Sequence, residues 1–257
     1  MKRTALVGGG AAGIGRAVAE NLARAGHRVI ITGRRAEILE EAAQKLQAAT
    51  GAPVQALTND ISAPDATTQL LSMIGSEYGS LDVLVLNAGG PPPGTVLEVG
   101  DTQWQSAFEL LLLGPLRLAR LVLPAMAQRG FGRVLFVTST AVRQPQPDLA
   151  TSVVLRSAVT AAAKLLSREF AGSGVTVNCV APGATATERR TEILMARAAA
   201  TGRTYNELAS LDTGSVPAGR PAEPNEIAAA IGFLASPAAS YINGTVLTVD
   251  GGRTETI

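Results

Sequence analysis

Three glycines near the amino end are the first residues whose type and spacing point to chemistry. Gly9, Gly13 and Gly15 stand in the run Gly8-Gly9-Gly10-Ala11-Ala12-Gly13-Ile14-Gly15, a G-x-x-x-G-x-G spacing between an apolar run and a helical pattern. Glycines let the backbone turn tightly and let a pyrophosphate approach the amides of a helix N-terminus. A flexible loop has the same composition, so it is the strand–turn–helix setting that favours the phosphate reading. Other chemistries are hard to build. The chain has one histidine, His27, and one cysteine, Cys179. That excludes a disulfide framework and any cysteine-cluster metal site, and leaves little for a histidine metal centre or a Ser/His triad. Nothing chemical surrounds His27, which reads as a solvated turn residue.

The elements that position these residues follow from hydrophobic periodicity. Segments 4–7, 28–32, 54–58, 82–86, 133–138, 175–180 and 245–249 read as strands. Segments 14–25, 36–49, 64–77, 104–128, 151–171 and 224–235 read as helices, and 188–212 is polar and irregularly helical. Strands alternating with helices predict an α/β fold. It would be a Rossmann-like, doubly wound parallel sheet of about seven strands with helices on both faces, one domain over 1–257. Ligands of such sheets bind at the carboxyl edge of the strands. The proline-rich patches 91–93 and 145–147 each follow a strand and so belong to loops at that edge.

Hydrophobic residues make up 46% and charged residues 17%, which excludes a disordered chain. A net charge of +1 offers no basic footprint for nucleic acid, so none is expected as a partner. The apolar stretch 107–127 carries Glu109, Arg117 and Arg120 and is split by Gly114-Pro115. It reads as a buried helix, not a membrane span. The amino end superficially imitates a signal peptide, but its apolar stretch is full of glycine and runs into Arg16 and Glu20. A cytoplasmic protein is expected.

Later strand ends carry a matching series. Arg34-Arg35 follow the second strand, Asp60-Ile61 the third, Asn87-Ala88-Gly89 the fourth, and Pro182-Gly183 with Thr187 the sixth; Val249-Asp250-Gly251-Gly252 lies near the end. With the glycine turn, this ordered set resembles the short-chain dehydrogenase/reductase family, specifically the relatives of β-ketoacyl carrier-protein reductases, over essentially the whole chain. The resemblance implies that Gly9, Gly13, Ile14 and Gly15 hold the phosphates of a dinucleotide cofactor. It implies that Asp60 and Ile61 contact the adenine and that the Asn87-Ala88-Gly89 turn meets the adenosine-side ribose. Thr187 and the Pro182-Gly183 turn would face the nicotinamide. Gly8 replaces the family's usual threonine, a loss of one hydroxyl that predicts a less rigid turn. An acidic residue ending the second strand would accept hydrogen bonds from the ribose 2′-OH of NAD and repel a 2′-phosphate. Here Gly33 is followed by two arginines, whose guanidinium groups suit phosphate, so NADP is expected in preference to NAD. Two arginines solvating a loop are the alternative.

The family works with Asn, Ser, Tyr and Lys. Aligned on that pattern, 132–139 puts Ser139 at the family serine, and 177–183 fixes the register downstream. The Tyr-x-x-x-Lys motif then begins at position 152, so Ser152 replaces the tyrosine, Arg156 the lysine, and Leu111 falls where the asparagine belongs. A phenol of pKa ~10 can be tuned toward neutrality, whereas an alkyl hydroxyl is far less acidic. Arg156 shares a helix face with Ser152 one turn away and still reaches a ribose, but it does not relay protons. With the loop Gly89-Gly90-Pro91-Pro92-Pro93-Gly94, the Ser/Arg pair resembles an atypical branch of these reductases. Tyr205 is the one tyrosine that the segment 188–212, taken to cover the substrate, would bring near the nicotinamide. Tyr78 lies away from the carboxyl edge, Tyr241 reads as packing, and Asp148 as a helix-start or loop residue. Arginines 189, 190, 197 and 203 read as solvated helix surface, with a phosphopantetheine or CoA phosphate as the alternative partner.

The expected function is NADP-dependent oxidation or reduction of a carbonyl/alcohol pair, 3-oxoacyl reductase-like, on a small molecule or thioester. Ser139, Ser152 and Arg156 are the catalytic candidates. A second reading is a catalytically inactive NADP-binding sensor or oligomer subunit. The resemblance also implies a homotetramer, paired through helices 104–128 and 151–171 and through the last strand.

Overall fold

The computed structural model describes residues 2–256. Continuous apolar runs become strands β1 (Thr4–Gly8), β2 (Arg28–Gly33), β3 (Val54–Thr58), β4 (Val83–Leu86), β5 (Gly132–Val137), β6 (Val175–Pro182) and β7 (Val246–Val249). Such runs suit strands covered on both faces. They form one all-parallel sheet in the order β3-β2-β1-β4-β5-β6-β7. The chain leaves β1 toward β2 on one side and resumes at β4 on the other, so Gly8 stands opposite Thr32 and Val7 opposite Val85. This reversal opens a crevice at the carboxyl ends of β1 and β4, the place where such sheets bind ligands.

Helices α1 (Gly13–Arg24), α2 (Ala36–Thr50) and α9 (Pro224–Ala235) cover one face around Val7, Ile31, Val85 and Leu135. Helices α3 (Pro64–Tyr78), α5 (Gly114–Gln128) and α6 (Ala150–Glu169) cover the other around Leu84, Phe136 and Cys179. The predicted helix 104–128 starts earlier, as α4 (Asp101–Phe108), because Gln103 Oε1 accepts from the Gly100 amide at 3.0 Å. It is joined to α5 by a π-helical turn, Glu109–Leu113. Such turns inside helices are frequent at functional sites. The run Asp101–Gln128 is long and apolar enough to cross a membrane, but its α5 half buries Leu118, Val122, Leu123 and Met126 against the sheet.

The segment predicted as irregular at 188–212 resolves into α7 (Glu188–Thr201) and α8 (Tyr205–Gly214). Gly202, in the left-handed region at φ 69°, ends the first. Thr204 starts the second, accepting from the Glu207 amide at 3.3 Å while Glu207 accepts from the Thr204 amide at 2.8 Å. Three side chains depart from expectation or take definite places. His27 is half-buried, not solvated, and burial followed by the nearby Arg3 charge lowers its pKa. Tyr241 is fully exposed and packs nothing. Tyr78 ends α3 with its ring 5.7 Å from the Arg28 guanidinium.

Candidate active site

The glycine turn closes on itself and on the end of β4. A Cβ at Gly15 would stand 2.2 Å from the Gly9 carbonyl oxygen, and one at Gly8 2.6 Å from the Asn87 carbonyl oxygen. Gly9 and Gly13 have φ of 61° and 51°, where side chains are strained. Asn87 Nδ2 donates to the Gly8 carbonyl at 3.1 Å. At Gly8, where the family's threonine would stand, the backbone packs directly against that of Asn87. Ile14 packs on the core beside the turn.

The other cofactor-site candidates surround this turn. Asp60 Oδ1 accepts from the Ser62 amide at 3.0 Å and its hydroxyl at 2.6 Å, an Asx turn that shapes the loop after β3. The Ile61 carbonyl lies so close to α5 that a Cβ at Gly114 would be 2.2 Å from it. Arg34 and Arg35 are exposed beyond β2, and Gly33 has room for a side chain, its nearest neighbour being Leu39 Cδ1 at 3.5 Å from a built Cβ. Gly89 faces open space. Pro182 ends β6, and the Gly183 amide donates to the Val249 carbonyl at 3.0 Å. Thr187 caps α7 by accepting from the Arg190 amide at 3.4 Å. Its methyl lies 3.2 Å from a Cβ built at Gly13, so the sixth strand end faces the glycine turn across the crevice.

Ser152 and Arg156 lie on α6 against the ends of β4 and β5, and Ser139 lies two residues beyond β5. Ser139 follows β5 and accepts from the Ala141 amide at 3.1 Å, capping a short 3-10 turn. On α6, Arg156 Nε donates to Ser152 Oγ at 3.2 Å, Nη1 to the Val137 carbonyl at 2.6 Å and Nη2 to the Ala88 carbonyl at 3.4 Å. One guanidinium thus bridges the ends of β4 and β5 and a hydroxyl on α6. It keeps some solvent access, yet burial first, and the Arg189 charge second, lower its pKa to about 10, so it stays charged at neutral pH. Leu111, brought inward by the π-helical turn, is buried with Ala107 and Leu155. With Leu86, Pro115, Phe136 and Val159 it lines a small cavity beside Arg156. The leucine and arginine are compatible neighbours: the aliphatic stem gains an apolar wall and no water chain is anchored there.

The helix α7 is tied to the loops that follow β4 and β5 by residues that periodicity assigns to solvated surface. Arg189 Nη2 donates to the Pro91 carbonyl, and its guanidinium leaves no room for a Cβ at Gly90, which would lie 2.7 Å from Nε. Arg197 binds Asp148 through two hydrogen bonds of 2.6 and 3.0 Å and Gln146 at 2.8 Å. Arg190 and Arg253 share Asp212 at 2.8 and 2.9 Å. Asp148 is therefore an anchor for α7. Although its burial opposes ionisation, Arg197 holds its carboxyl below the usual range. Tyr205 opens α8 half-buried and makes no hydrogen bond to Ser139, Ser152 or Arg156 among the described residues. Cys179 is buried, its thiol pushed up to about 12 by burial and so inert as a nucleophile. Arg189 and Gly90 are the residues the sequence reading missed. Their pairing spans 99 positions, and only the GGPPPG loop hinted at it.

Comparison with known proteins accords with this geometry. A family model described as enoyl-(acyl carrier protein) reductase matches residues 9–254. The chain is 34% identical to 3-oxoacyl-(acyl-carrier-protein) reductase of Vibrio cholerae over 250 residues, covering 97% of this chain and 96% of that one. It is 36% identical over 253 residues to galactitol 2-dehydrogenase (L-tagatose-forming) of Cereibacter sphaeroides, covering 97% and 94%. Among solved structures, L-sorbose reductase of Gluconobacter frateurii complexed with NADPH and L-sorbose superposes with a TM-score of 0.93 at 30% identity, covering 100% and 98%. A variant of actinorhodin polyketide ketoreductase with NADPH superposes with a TM-score of 0.95 at 31% identity, covering 99% and 98%. With the all-parallel sheet, the glycine turn and these matches spanning nearly its full length, the chain belongs to the short-chain dehydrogenase/reductase family.

Proposed function

We propose that this protein is an NADP-dependent oxidoreductase acting on a carbonyl/alcohol pair, with Ser139, Ser152 and Arg156 as its catalytic residues. The observation that carries the reading is the hydrogen-bonded Ser152–Arg156 pair, tied to the ends of β4 and β5 beside a glycine turn with no room for a side chain at Gly8, Gly9, Gly10 or Gly15. The turn fits a dinucleotide: the space that Cβ atoms would fill at Gly8, Gly9 and Gly15 is taken by backbone and by Asn87, leaving the amides of the α1 N-terminus free to meet a pyrophosphate. NADPH-complexed neighbours of the same fold support NADP as the cofactor. When bound, it supplies the hydride.

Each residue then has a role. Gly9, Gly13, Ile14 and Gly15 hold the phosphates, and Arg34 and Arg35 take the 2′-phosphate. Asp60 and Ile61 border the adenine, and Ala88 and Gly89 the ribose. Asn87 acts from behind, its amide spent on Gly8. Pro182, Gly183 and Thr187 face the nicotinamide. Ser139 donates its hydroxyl to the substrate oxygen. Ser152 accepts from Arg156 Nε and so has its own proton free to donate to the same oxygen. Arg156 stabilises the negative charge that builds there. Ser152, Arg156 and Leu111 stand where the family's Tyr, Lys and Asn stand, so no phenol supplies the proton. Turnover of ordinary 3-oxoacyl thioesters is therefore weak, since a general acid contributes typically ~10²–10⁴-fold.

The rest of the molecule suits a single domain in which 188–212 covers a small-molecule substrate. We place the protein in the cytoplasm as a homotetramer. Leu121 on α5 and Val154 and Leu165 on α6 are exposed apolar residues on the helices such an assembly would pair. The test is a direct NADPH titration set beside NADPH oxidation, followed by absorbance, on a panel of ketones, oxo acids and thioesters. Binding without turnover of any of them would contradict the catalytic assignment, and absence of binding would contradict the cofactor assignment.

A further inference from the structure

Arg156 and Arg189 approach the same short turn from two elements. Arg156, on α6, donates to the carbonyl of Ala88; Arg189, on α7, donates to the carbonyl of Pro91 and covers Gly90. Two guanidinium groups therefore flank the Ala88–Pro91 turn beside the catalytic hydroxyls. Among the described residues, no carboxylate lies within 4 Å of Arg156, and the one carboxylate on Arg189 is Glu192, 3.3 Å away and 64% exposed. Arg156, largely buried, has no carboxylate partner, and Arg189, its side chain 30% exposed, has only the exposed Glu192, so the pair is short of negative charge, and burying a charge without a partner is costly. The lowered pKa of Arg156 expresses the same imbalance, its causes being burial and the Arg189 charge. Elsewhere on α7, the arginines are matched: Arg190 by Asp212 and Arg197 by Asp148.

We propose that the substrate is an organic acid whose carboxylate docks between Arg156 and Arg189, next to the carbonyl that Ser139 and Ser152 hold. This inference rests on the reductase reading and names its substrate class. A carboxylate is favoured over a remote phosphate by position. Arg156 touches Ser152 itself, so the anion it meets is only a few bonds from the reacting carbon. The phosphate of a carrier thioester is a whole pantetheine arm from that carbon. A planar carboxylate also matches the forked donors of a guanidinium.

The test titrates 2-oxo-4-phenylbutanoate and its methyl ester into the protein by calorimetry, once without cofactor and once loaded with NADP⁺, where no hydride can move. The acid is expected to bind at least ~10-fold more tightly than the ester in the loaded protein. Arg189→Gln keeps a donor for the Pro91 carbonyl but removes the charge. It is expected to erase most of that preference while NADPH affinity stays within about twofold. Glu192→Gln removes the competing carboxylate and should tighten the acid slightly. Equal binding of acid and ester, or a preference that survives both Arg189→Gln and Arg189→Ala, would overturn the proposal. So would a parallel fall in NADPH affinity in Arg189→Gln, which would assign the charge to the cofactor. If the protein fails to bind NADPH, the reductase reading falls, and the cofactor-free titration still decides whether the arginine pair takes a carboxylate. Reduction of the ester in preference to the acid, with NADPH bound, overturns the carboxylate site and leaves the reductase reading standing.

Discussion

Replacing Arg34 and Arg35 together with alanine is expected to lower the preference for NADPH over NADH by about 10- to 100-fold. Both side chains are exposed beyond β2, and among the described residues neither makes an ion pair or side-chain hydrogen bond. Their removal should therefore shift stability by less than ~0.5 kcal/mol. A charge-assisted hydrogen bond is worth ~1.5–3 kcal/mol, and exposure reduces that to roughly 1 kcal/mol per arginine. Since ~1.4 kcal/mol is tenfold in affinity, two arginines account for one to two decades. NADH affinity should hardly change. The converse substitution sharpens the test. Gly33 has an ordinary φ, and its built Cβ meets only Leu39 Cδ1 at 3.5 Å, so Gly33→Asp is sterically tolerated. It would accept from a 2′-OH and repel a 2′-phosphate. The assay is fluorescence titration of both cofactors at low and high salt. The arginine contribution should shrink as salt rises, because exposed charges are screened. A wild-type protein that binds both equally, or a double variant that keeps its NADPH preference, would refute the argument.

Gly15→Ala would push a methyl to 2.2 Å from the Gly9 carbonyl, so NADPH affinity should fall at least ~10-fold, whereas Gly75→Ala, in open space on α3, should stabilise by ~0.5–1 kcal/mol; comparable titrations for both would count against the tight turn. The carboxyl of Asp148 is held below its usual range in the fold, so the support it gives α7 is present above the unfolded pKa, ~3.9, and is lost as pH falls through the lower folded value. Hydrogen exchange in α7 should accelerate below ~pH 4, and Asp148→Asn should reproduce that acceleration at pH 7; unchanged exchange in both would dismiss the anchor. The triple change Leu111→Asn, Ser152→Tyr, Arg156→Lys should raise turnover of acetoacetyl thioesters by ~10²-fold or more with similar NADPH affinity, and no gain in a folded, cofactor-binding variant would place the defect elsewhere. Light scattering at micromolar concentration should give the mass of a tetramer, and a monomer would contradict the exposed Leu121, Val154 and Leu165 as interface residues.

The parallel sheet and the glycine turn were legible in the residues, for a local reason, whereas Ser139, Ser152 and Arg156 were singled out by the family resemblance. Periodicity of 2 or 3.6 residues and the conformational needs of glycine act over a few neighbours, so strands, helices and their connecting turns carry their own signature. The two bonds of Arg156 to Val137 and Ala88, the inward turn of Leu111, and the grip of Arg189 on Gly90 and Pro91 carry none. The arginine contacts join positions 19 to 99 residues apart, and a charged residue that ties two elements together reads in sequence like one that faces water. Asp148, Arg189 and Arg197 look like solvated loop and helix residues until α7 is tied to the loops that follow β4 and β5, where the same charges become anchors. Local chemistry decided which residues gather at the carboxyl edge. Only tertiary packing decided that two arginines would share one turn there without a buried acid between them, because the balance of charge in a site depends on neighbours that the chain order does not bring together.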